Sequence, residues 1–451
     1  MKKNDIIELD ITGMTHEGLG VGRKNGMAVF VEGAVSGEKV YARIKKVQKN
    51  HAVAEVQKWL NKSQHRQEPF CPVYESCGGC SLQHMSYKMQ LEFKHGVVKD
   101  ALEHIGGFQG ITVNPVIGMN NPMHYRNKAQ YPVGIGNDSK PVSGFYAKQS
   151  HQIIDFESCA IQDEISVKIR NYIIESVREA GIPAYDETTG KGILRQIITR
   201  IASTGVMVIL VVTTEKTPGL KALIQKISAR FPEVKSIVIN VNNRKGSVIP
   251  GEKNIVVYGQ DTITDRLGQY VFHISPLSFF QVNHEQTVIL YEKVLEYATL
   301  TGNETVFDLY CGIGTISIFL AEKAKRVIGV ESVKEAVEMA ERNKLANNVS
   351  NVEFYHGKAE DITAELSKKG IKADVVVVDP PRKGCDGKLL ETIASMRPTR
   401  IVYVSCNPST LARDLKYLSE NGYCIEQVQP VDMFPWTSHV ESCVLITRNE
   451  K

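Results

Sequence analysis

The chain has 451 residues and a mass of 50.2 kDa, enough for two to four domains at roughly 100–200 residues each. Hydrophobic residues make up 42% and charged residues 23%, which excludes a fibrous or largely disordered chain. The longest apolar run, Val206 to Val212, has seven residues, far below the roughly 18 that cross a bilayer. We therefore expect no membrane span.

The formal charge is +4, and the excess of basic residues lies near the N-terminus, where residues 1–100 hold 15 Lys and Arg against 11 Asp and Glu. Such a bias on one module is compatible with a polyanionic partner. The basic start, Met1 to Asp5, is not followed by the apolar stretch of a secretory signal. The nine cysteines therefore indicate a reducing compartment, and we expect a cytoplasmic protein.

Residues 1–59 contain short alternating runs separated by Gly-rich turns, a pattern that is typical of a small β-barrel. The runs are Ile6 to Ile11, Met27 to Val31, Lys39 to Val47 and His51 to Val56. Small barrels with basic strands often bind single-stranded nucleic acid, but an SH3-like structural module gives nearly the same pattern. Both interpretations remain open from the pattern alone.

Residues 60–275 begin with a Cys-bearing, turn-rich segment and a helical stripe over Tyr87 to Ile105. Strands and helices then alternate irregularly, which predicts an α+β domain. The predicted strands are Ile193 to Ile201, Val206 to Val212, Ser236 to Asn240 and Ile255 to Tyr258, and the predicted helices are Ile165 to Ala180 and Leu220 to Phe231.

Residues 276–451 alternate strictly between strand and helix, which predicts a parallel, doubly wound Rossmann-like sheet. The predicted strands are Thr305 to Tyr310, Arg326 to Glu331, Val352 to Tyr355, Ala373 to Asp379 and Arg400 to Ser405. The predicted helices are Thr315 to Ala324, Lys334 to Ala346, Lys388 to Met396 and Ser409 to Asn421. The expected fold is thus multidomain, with a barrel, an α+β domain and an α/β domain.

A Gly-rich loop, Asp308 to Thr315, lies where the first strand of this α/β domain turns into its first helix. Gly312 and Gly314 would let the backbone turn tightly and approach a ligand. Glu331 ends the next strand, where a carboxylate can accept hydrogen bonds from both hydroxyls of a ribose. Because Ser317 stands where a dinucleotide fingerprint has its third Gly, S-adenosylmethionine fits this loop better than NAD.

Two further strands end in unusual peptides, Val378 to Gly384 (VDPPRKG) and Val404 to Pro408 (VSCNP). Ligands bind outside the carboxyl ends of parallel strands, so we expect all of these loops to face one crevice. An aromatic residue follows Asp-Pro-Pro in enzymes that methylate exocyclic amines, whereas Arg382 follows it here. Amine methylation is therefore the second choice of chemistry.

Cys406 lies at a strand end just before a helix, where the helix dipole favours a thiolate, so it is a candidate nucleophile. Glu441, beside the β-rich C-terminal end, could return to the same crevice. For Cys311, Cys385, Cys424 and Cys443 we expect the usual role of a cysteine, which is buried and inert.

Five motifs occur in order along the chain and together resemble the RNA (uracil-5-)methyltransferases. They are SFFQVN (Ser278 to Asn283), DLYCGIGT (Asp308 to Thr315), VDPPRKG, SCNPSTLARD (Ser405 to Asp414) and VDMFPWTSHVES (Val431 to Ser442). The N-terminal segment resembles the TRAM domain of this family. Together with the cysteines near residue 80, it resembles the branch that acts on 23S ribosomal RNA rather than the shorter tRNA-modifying branch.

The resemblance implies methylation of uracil carbon 5, with Cys406 as the nucleophile and Glu441 as the base. It implies S-adenosylmethionine as cofactor, bound by Gln281, Tyr310, Gly312, Gly314, Glu331 and Asp379. Phe279 could stack on a uridine extruded from the RNA, although core packing would explain it equally well. Arg126 and Lys128 could contact RNA phosphates, although a solvated strand is an equally plausible interpretation.

Four cysteines, Cys71, Cys77, Cys80 and Cys159, could form a metal site from two chain segments. Four soft ligands suit either an iron–sulfur cluster or tetrahedral zinc, and the spacing does not decide between them. The resemblance implies [4Fe–4S].

The expected partner is 23S ribosomal RNA, with no obligate protein partner and a monomeric chain. The remaining alternative is an RNA-binding assembly factor that has lost catalysis.

Overall fold

The computed structural model describes residues 1–246, 251 and 253–449. Six strands form the N-terminal sheet: β1 (Ile6–Asp10), β2 (Gly13–Met14), β3 (Gly20–Lys24), β4 (Met27–Glu32), β5 (Lys39–Val47) and β6 (His51–Asn61). They are ordered β1-β5-β6-β4-β3-β2, and within this sheet only β4 and β6 pair in parallel. Alternate side chains of β5 are buried in one apolar core, which confirms the predicted small β-module as a half-barrel.

The central part begins with α1 (Tyr87–Ala101) and a π-helical turn (Leu102–Gly106), which together fill the helix predicted over Tyr87 to Ile105. Its other elements are β7 (Lys128–Ile135), β8 (Pro141–Ser143), β9 (Phe145–Tyr146), β10 (Ile153–Ile154), α2 (Glu164–Glu179), β11 (Leu194–Ala202), β12 (Gly205–Val212), α3 (Leu220–Arg230), β13 (Val234–Val241), β14 (Lys253–Gly259), β15 (Ile263–Leu267) and β16 (Tyr270–Ile274). A six-stranded sheet, ordered β14-β13-β12-β11-β7-β8, forms its centre.

The C-terminal part is the predicted doubly wound domain. Its elements are α4 (His284–Ala298), β17 (Thr305–Leu309), α5 (Thr315–Ala321), β18 (Arg326–Glu331), α6 (Lys334–Ala346), β19 (Val352–His356), α7 (Ala359–Lys368), β20 (Val375–Val378), α8 (Gly387–Met396), β21 (Arg400–Ser405), α9 (Pro408–Glu420), β22 (Tyr423–Val431) and β23 (Glu441–Arg448). The sheet order is β19-β18-β17-β20-β21-β23-β22, with β23 antiparallel to β21. Helices cover both faces, so strands such as β20 are buried along their whole length.

The apolar cores join the central and C-terminal parts. One core cluster contains side chains of β11 and β12 together with those of α4, α5 and the parallel strands. Another contains Val98 and Leu102, from α1 and the π-helical turn, packed with Leu411 and Leu415 of α9. The domain boundaries at residues 59 and 275 therefore stay a prediction, since packing crosses the second one. No helix among the described residues is long and apolar enough to span a bilayer.

Residues 432–440 connect β22 to β23, and we call them the connecting segment. Its first residue, Asp432, is fully buried and accepts hydrogen bonds from Lys94 Nζ at 2.5 Å and from the Tyr87 hydroxyl at 2.8 Å. Lys94 Nζ also donates to the Phe434 carbonyl at 3.0 Å. Both charges of this buried pair are therefore hydrogen-bonded, which anchors the connecting segment to α1.

Trp436 anchors the middle of the connecting segment. Its backbone oxygen accepts hydrogen bonds from the amides of Ser81 and Leu82, both at 3.0 Å, and its indole N–H donates to the Pro122 carbonyl at 2.8 Å. The backbone of Trp436 has φ +67°, a conformation that is costly for a bulky residue and persists where the surroundings enforce it. These contacts fix the chain just before Glu441.

Candidate functional site

The carboxyl ends of four neighbouring parallel strands form one edge of the C-terminal sheet. Leu309 of β17 pairs with Val330 of β18 and with Val378 of β20, and Val378 pairs with Tyr403 of β21. Glu331 is the last residue of β18, and the loops that follow the other three strands carry Tyr310, Asp379 and Cys406. The structure thus brings the predicted loops to one side of the sheet, and we call this side the crevice.

The Gly-rich loop has the conformation that its glycines allow. Tyr310, Gly312 and Gly314 have φ values of +68°, +56° and +81°. A Cβ at Gly312 would meet no atom within 4 Å, so the backbone here faces open space. A Cβ at Gly314 would lie 2.7 Å from the Phe354 ring, so this position needs Gly for close packing. Gly312 is therefore the point at which a ligand can approach the backbone.

Glu331 lies beside this open backbone. One carboxylate oxygen accepts a hydrogen bond from the Gly312 amide at 3.1 Å, and the other accepts from the Val333 amide at 2.8 Å and the Ser332 hydroxyl at 3.1 Å. A carboxylate has about four acceptor positions, so it retains capacity for further donors. The backbone thus holds Glu331 in one orientation next to the space in front of Gly312.

Two aspartates lie deeper in the crevice. Asp308 is fully buried, and one of its oxygens accepts a hydrogen bond from the Ser317 hydroxyl while the other has no partner. Burial raises the pKa of Asp308 to about 7. Burial, with a contribution from Asp308, also raises the pKa of the Asp379 carboxyl to about 7. These two carboxyls are consequently poised to gain or lose protons near neutral pH.

Cys406 and Glu441 flank one paired position of two neighbouring strands. Ser405 of β21 pairs with Ser442 of β23, so Cys406 and Glu441 lie at the same end of this antiparallel pair, and Glu441 contributes to the raised pKa of Cys406. Glu441 is 4% exposed, and within the described residues its carboxyl forms no hydrogen bond. Burial, with a further contribution from Asp379, raises the pKa of Glu441 to about 8. The structure therefore holds a buried, unpaired carboxyl next to the predicted nucleophile.

The sequence predicts that the helix dipole favours a Cys406 thiolate, but the structure raises the pKa of this thiol instead. Burial and the adjacent Glu441 and Asp379 raise the pKa of the Cys406 thiol to about 11, although Arg382 lowers it. Burial is the largest cause and the two carboxyls add to it, while Cys406 itself lies one residue before Asn407, the N-cap of α9. Cys406 is a thiol until the charge balance around it changes.

Arg382 acts on both this thiol and this carboxyl. Its backbone oxygen accepts hydrogen bonds from Asn407 Nδ2 at 3.0 Å and the Thr410 hydroxyl at 3.2 Å, which ties the VDPPRKG loop to the start of α9. The Arg382 charge opposes the rise in the pKa of both Cys406 and Glu441. In the sequence, Arg382 only makes amine methylation the second choice of chemistry, whereas the structure places its charge within electrostatic reach of Cys406 and Glu441.

The loop of residues 275–283, before α4, forms another wall. Gln281 is buried, and its backbone oxygen accepts a hydrogen bond from Asn127 Nδ2 at 3.0 Å. Phe279 is 68% exposed, which rules out the core-packing interpretation. Arg126, next to Asn127, lies over the Phe434 ring at 5.9 Å. The loop thus presents one aromatic side chain to solvent beside a basic strand.

Lys128 is part-buried at the start of β7, so the interpretation as a solvated strand is wrong for it. The reason is the register: β7 is an inner strand, and Lys128 lies directly opposite Arg200 of β11. Arg200, which sequence analysis missed, is 3% exposed and donates to the carbonyls of Pro276 and Ser278. A single buried Arg in a strand gives no signal in the sequence.

The four clustered cysteines line one cavity, together with apolar side chains such as Phe145 and Phe156. Within residues 1–246, 251 and 253–449, no group of three or more His, Cys, Asp or Glu side chains is gathered closely enough to hold a metal ion. Burial raises the pKa of the Cys77, Cys80 and Cys159 thiols, that of Cys80 to about 12. The cavity is thus lined by cysteines that are not drawn together into a metal-binding group.

The sequence profile of the tRNA (uracil-5-)methyltransferases matches residues 86–449, most of the chain. The chain belongs to this family. The profile of the TRAM domain matches residues 2–56, which is the part that forms the N-terminal sheet.

Several relatives of this uracil-5-methyltransferase chain match over nearly full length. A protein of Caldanaerobacter subterraneus subsp. tengcongensis, named an uncharacterized RNA methyltransferase, is 52% identical over 99% of both chains. One of Clostridium tetani with the same description is 52% identical over 99% of this chain and 97% of its own. The crystal structure of the Pyrococcus abyssi tRNA (uracil-54, C5)-methyltransferase with S-adenosyl-L-homocysteine is 30% identical, covers 98% of this chain and 100% of its own, and has a TM-score of 0.78.

The cysteines outside the cluster divide into two groups in this family member. Cys311, Cys385 and Cys443 are buried, as predicted. The prediction for Cys424 is wrong, because this residue is exposed and contacts Asn449. It lies on β22, the edge strand of the C-terminal sheet, where alternate side chains face solvent.

Proposed function

We propose that this protein transfers a methyl group from S-adenosylmethionine to carbon 5 of a uridine in RNA. The observation that carries the proposal is the placement of Cys406 beside the buried, unpaired carboxyl of Glu441 at the crevice edge. A nucleophile and a base at one site are what addition to carbon 6 and removal of the carbon 5 proton require. Membership of the uracil-5-methyltransferase family supports the same chemistry.

The residues of the Gly-rich loop fit the cofactor. Gly312 offers open backbone, Glu331 is oriented beside it with acceptor capacity for ribose hydroxyls, and Asp379 lies further along the same edge. Gln281 and Tyr310 complete the proposed set, with Tyr310 half-buried next to Gly312. The homocysteine form of this cofactor in the P. abyssi structure supports the assignment. When bound, S-adenosylmethionine supplies an electrophilic methyl group on a sulfonium.

In the proposed mechanism, the Cys406 thiol loses its proton to solvent, and the thiolate adds to carbon 6 and leaves an enolate whose carbon 5 is nucleophilic. Arg382 favours this step because it stabilises the thiolate form of Cys406. After carbon 5 has been methylated, the ionised Glu441 carboxyl removes the carbon 5 proton and the Cys406 sulfur is eliminated. Glu441 suits this role because its pKa of about 8 makes it a stronger base than an ordinary carboxylate. Phe279 would stack on the extruded uridine.

We propose 23S ribosomal RNA as the substrate, in line with the TRAM module and the cysteine cluster. Transfer RNA is the second candidate, because the P. abyssi neighbour, similar over the full chain, is a tRNA (uracil-54, C5)-methyltransferase. The exposed Phe279 suits either RNA, since stacking recognises an unpaired base rather than its source. The two substrates are distinguished by the product analysis below.

We also propose that Cys71, Cys77, Cys80 and Cys159 hold a [4Fe–4S] cluster, with zinc as the alternative. The donor set fits in kind, because four thiols from two segments line one cavity with no carboxylate among its lining residues. Metal binding would require the thiols to lose their protons and draw together.

Metal analysis of protein purified without oxygen tests this proposal. We expect about four iron and four sulfide per chain in the wild type and in Cys424→Ser, but not in Cys159→Ser. One zinc and no iron would overturn the iron–sulfur assignment.

The experiment that tests the function is nucleoside analysis of RNA treated with the protein and S-adenosylmethionine. Unmodified 23S ribosomal RNA and tRNA transcripts would be digested and examined by mass spectrometry. We expect 5-methyluridine in the ribosomal RNA with the wild type and none with Cys406→Ala. Methylated adenosine or guanosine would indicate amine chemistry instead. RNA binding without any methylation would indicate an assembly factor.

A further inference from the structure

Lys128 and Arg200 form a pair of like charges on neighbouring strands. They are directly opposite in the antiparallel register of β7 and β11, where side chains share one face of the sheet. Like charges at such positions destabilise a sheet unless something offsets them. Their proximity is also visible in the pKa of Lys128, which burial and the Arg200 charge lower to about 7.

Neither cation has an acidic partner within the described residues. Arg200 uses Nε and Nη2 on the carbonyls of Pro276 and Ser278, which leaves Nη1 without a hydrogen bond. Lys128 Nζ forms no hydrogen bond or ion pair there, and this lysine is part-buried. By contrast, the buried Lys94 and Arg170 pair with Asp432 and Asp155. A desolvated ammonium without a partner is costly, so this position favours an incoming anion.

The position of the pair indicates which anion. Arg200 holds the backbone just before Phe279, the exposed aromatic residue of the loop at residues 275–283. Arg126, two residues before Lys128, adds a third positive charge, and its buried Nε has no hydrogen-bond partner in the part of the chain that the structure describes. Any base that stacks on Phe279 carries phosphodiesters a few ångströms away on either side. A phosphodiester has the charge and acceptor oxygens that Lys and Arg side chains bind.

We propose that Lys128 and Arg200, flanked by Arg126, bind one phosphate of the RNA backbone next to the uridine that stacks on Phe279. The inference rests on the proposed function in taking RNA as the ligand, and it adds Arg200 and a defined phosphate position to it. Arg200 has two roles, since it also positions the Phe279 loop. The site fixes the register of the RNA, whereas Phe279 holds the base.

The test measures binding of a ten-nucleotide RNA with one uridine among adenosines over a range of KCl concentrations. The assay uses Cys406→Ala protein, which stops turnover, with and without Lys128→Met. Losing one phosphate contact should reduce the slope of log Kd against log[KCl] by about 0.7 and weaken binding roughly tenfold. Lys372→Met is the matched control. Lys372 is exposed and precedes β20, at the amino ends of the strands of the C-terminal sheet, away from the crevice at their carboxyl ends. It should leave the slope unchanged.

A second arm locates the phosphate. Single uncharged methylphosphonate linkages are placed at each position around the uridine. One linkage next to the uridine should weaken binding to the protein with Lys128 but add no further loss in Lys128→Met. Arg200→Lys, which keeps the charge, should retain more affinity than Arg200→Gln. Equal salt slopes with and without Lys128, additive effects at every linkage, or no measurable RNA binding would overturn the proposal.

Methylation is measured in parallel so that the two proposals can fail separately. In one case, Lys128→Met reduces the salt slope and removes the effect of the uncharged linkage, but no 5-methyluridine forms. The proposed reaction is then wrong and the phosphate site stands. If 5-methyluridine forms while Lys128→Met leaves the salt slope and KM unchanged, the phosphate site is wrong and the reaction stands. With both correct, Lys128→Met raises KM for RNA roughly tenfold and leaves kcat nearly unchanged.

Discussion

Lys94 and Lys128 are both shielded from solvent, but only Lys94 has a carboxylate partner. Lys94 lies under the connecting segment, where it donates to Asp432 and to the Phe434 carbonyl, and Asp432 also accepts from the Tyr87 hydroxyl. Lys128 lies beside the crevice. There, burial also raises the pKa of Glu441, Asp379 and Cys406. Of these two lysines, the one that holds the connecting segment has its charge paired, and the one beside the proposed RNA site does not.

This comparison predicts that substitutions in the crevice reduce activity and that substitutions under the connecting segment reduce stability.

The largest effect is expected for Cys406→Ala. Without the sulfur that activates carbon 5, methyl transfer should fall by roughly 10⁴-fold or more. The free energy of unfolding should change by less than about 1 kcal/mol, because the residue is at a loop edge. Initial rates and urea unfolding check both statements. Cys424→Ala, a change at an exposed cysteine, is the control, and an active Cys406→Ala enzyme would contradict the account.

Glu441→Gln is the next largest change. Removing the base should slow turnover by about 10²–10⁴-fold, because the carbon 5 proton has no acceptor. Methylated RNA should then accumulate as a covalent adduct on ordinary uridine, visible on a denaturing gel. Glu426→Gln, at an exposed position of β22, is the matched control. Turnover at the wild-type rate without an adduct would mean that another group removes the proton.

Lys94→Met tests the other side of the comparison. It leaves the Asp432 carboxylate buried without its cation, which should lower the free energy of unfolding by about 3–5 kcal/mol. The double variant Lys94→Met/Asp432→Leu should recover part of this loss, since no charge is then stranded. Lys128→Met should not destabilise, because Lys128 has no ion pair to break. Urea unfolding of the three variants measures the difference, and equal losses for Lys94→Met and Lys128→Met would remove the basis of the comparison.

The smallest effect is a pH dependence of stability. Glu441 has a pKa of about 8 in the folded chain against an ordinary value of 4.5, so the folded state binds more protons between these values. Its contribution is fully present below pH 4.5 and is lost as pH rises through 8. Between pH 6 and 7 the free energy of unfolding should therefore fall by about 1.4 kcal/mol per pH unit from this group. Glu441→Gln should remove that slope, and an unchanged slope would show that Glu441 is ionised throughout.

Sequence reasoning predicted the parts of the crevice that depend on local pattern. Parallel strands carry their ligands at the carboxyl edge, so Asp379 and Cys406 could be placed from the strand ends alone. It could not predict that Cys406 is a thiol, because that depends on Glu441 and Asp379 approaching it from other strands. Lys94 and Asp432 are 338 positions apart in the sequence, and no local pattern predicts a contact over such a separation. Arg200 was missed for the same reason.

The central claim is that Cys406 attacks the uracil ring, and trapping with 5-fluorouridine tests it most directly. RNA transcripts carrying this base are mixed with the protein and S-adenosylmethionine, separated on a denaturing gel, and the shifted band is digested for mass spectrometry. Because fluorine cannot leave as a proton does, the adduct should persist, depend on the cofactor and map to the peptide that contains Cys406. A band that forms equally with Cys406→Ala, or no band with wild type that binds and methylates the ordinary uridine RNA, would contradict the claim.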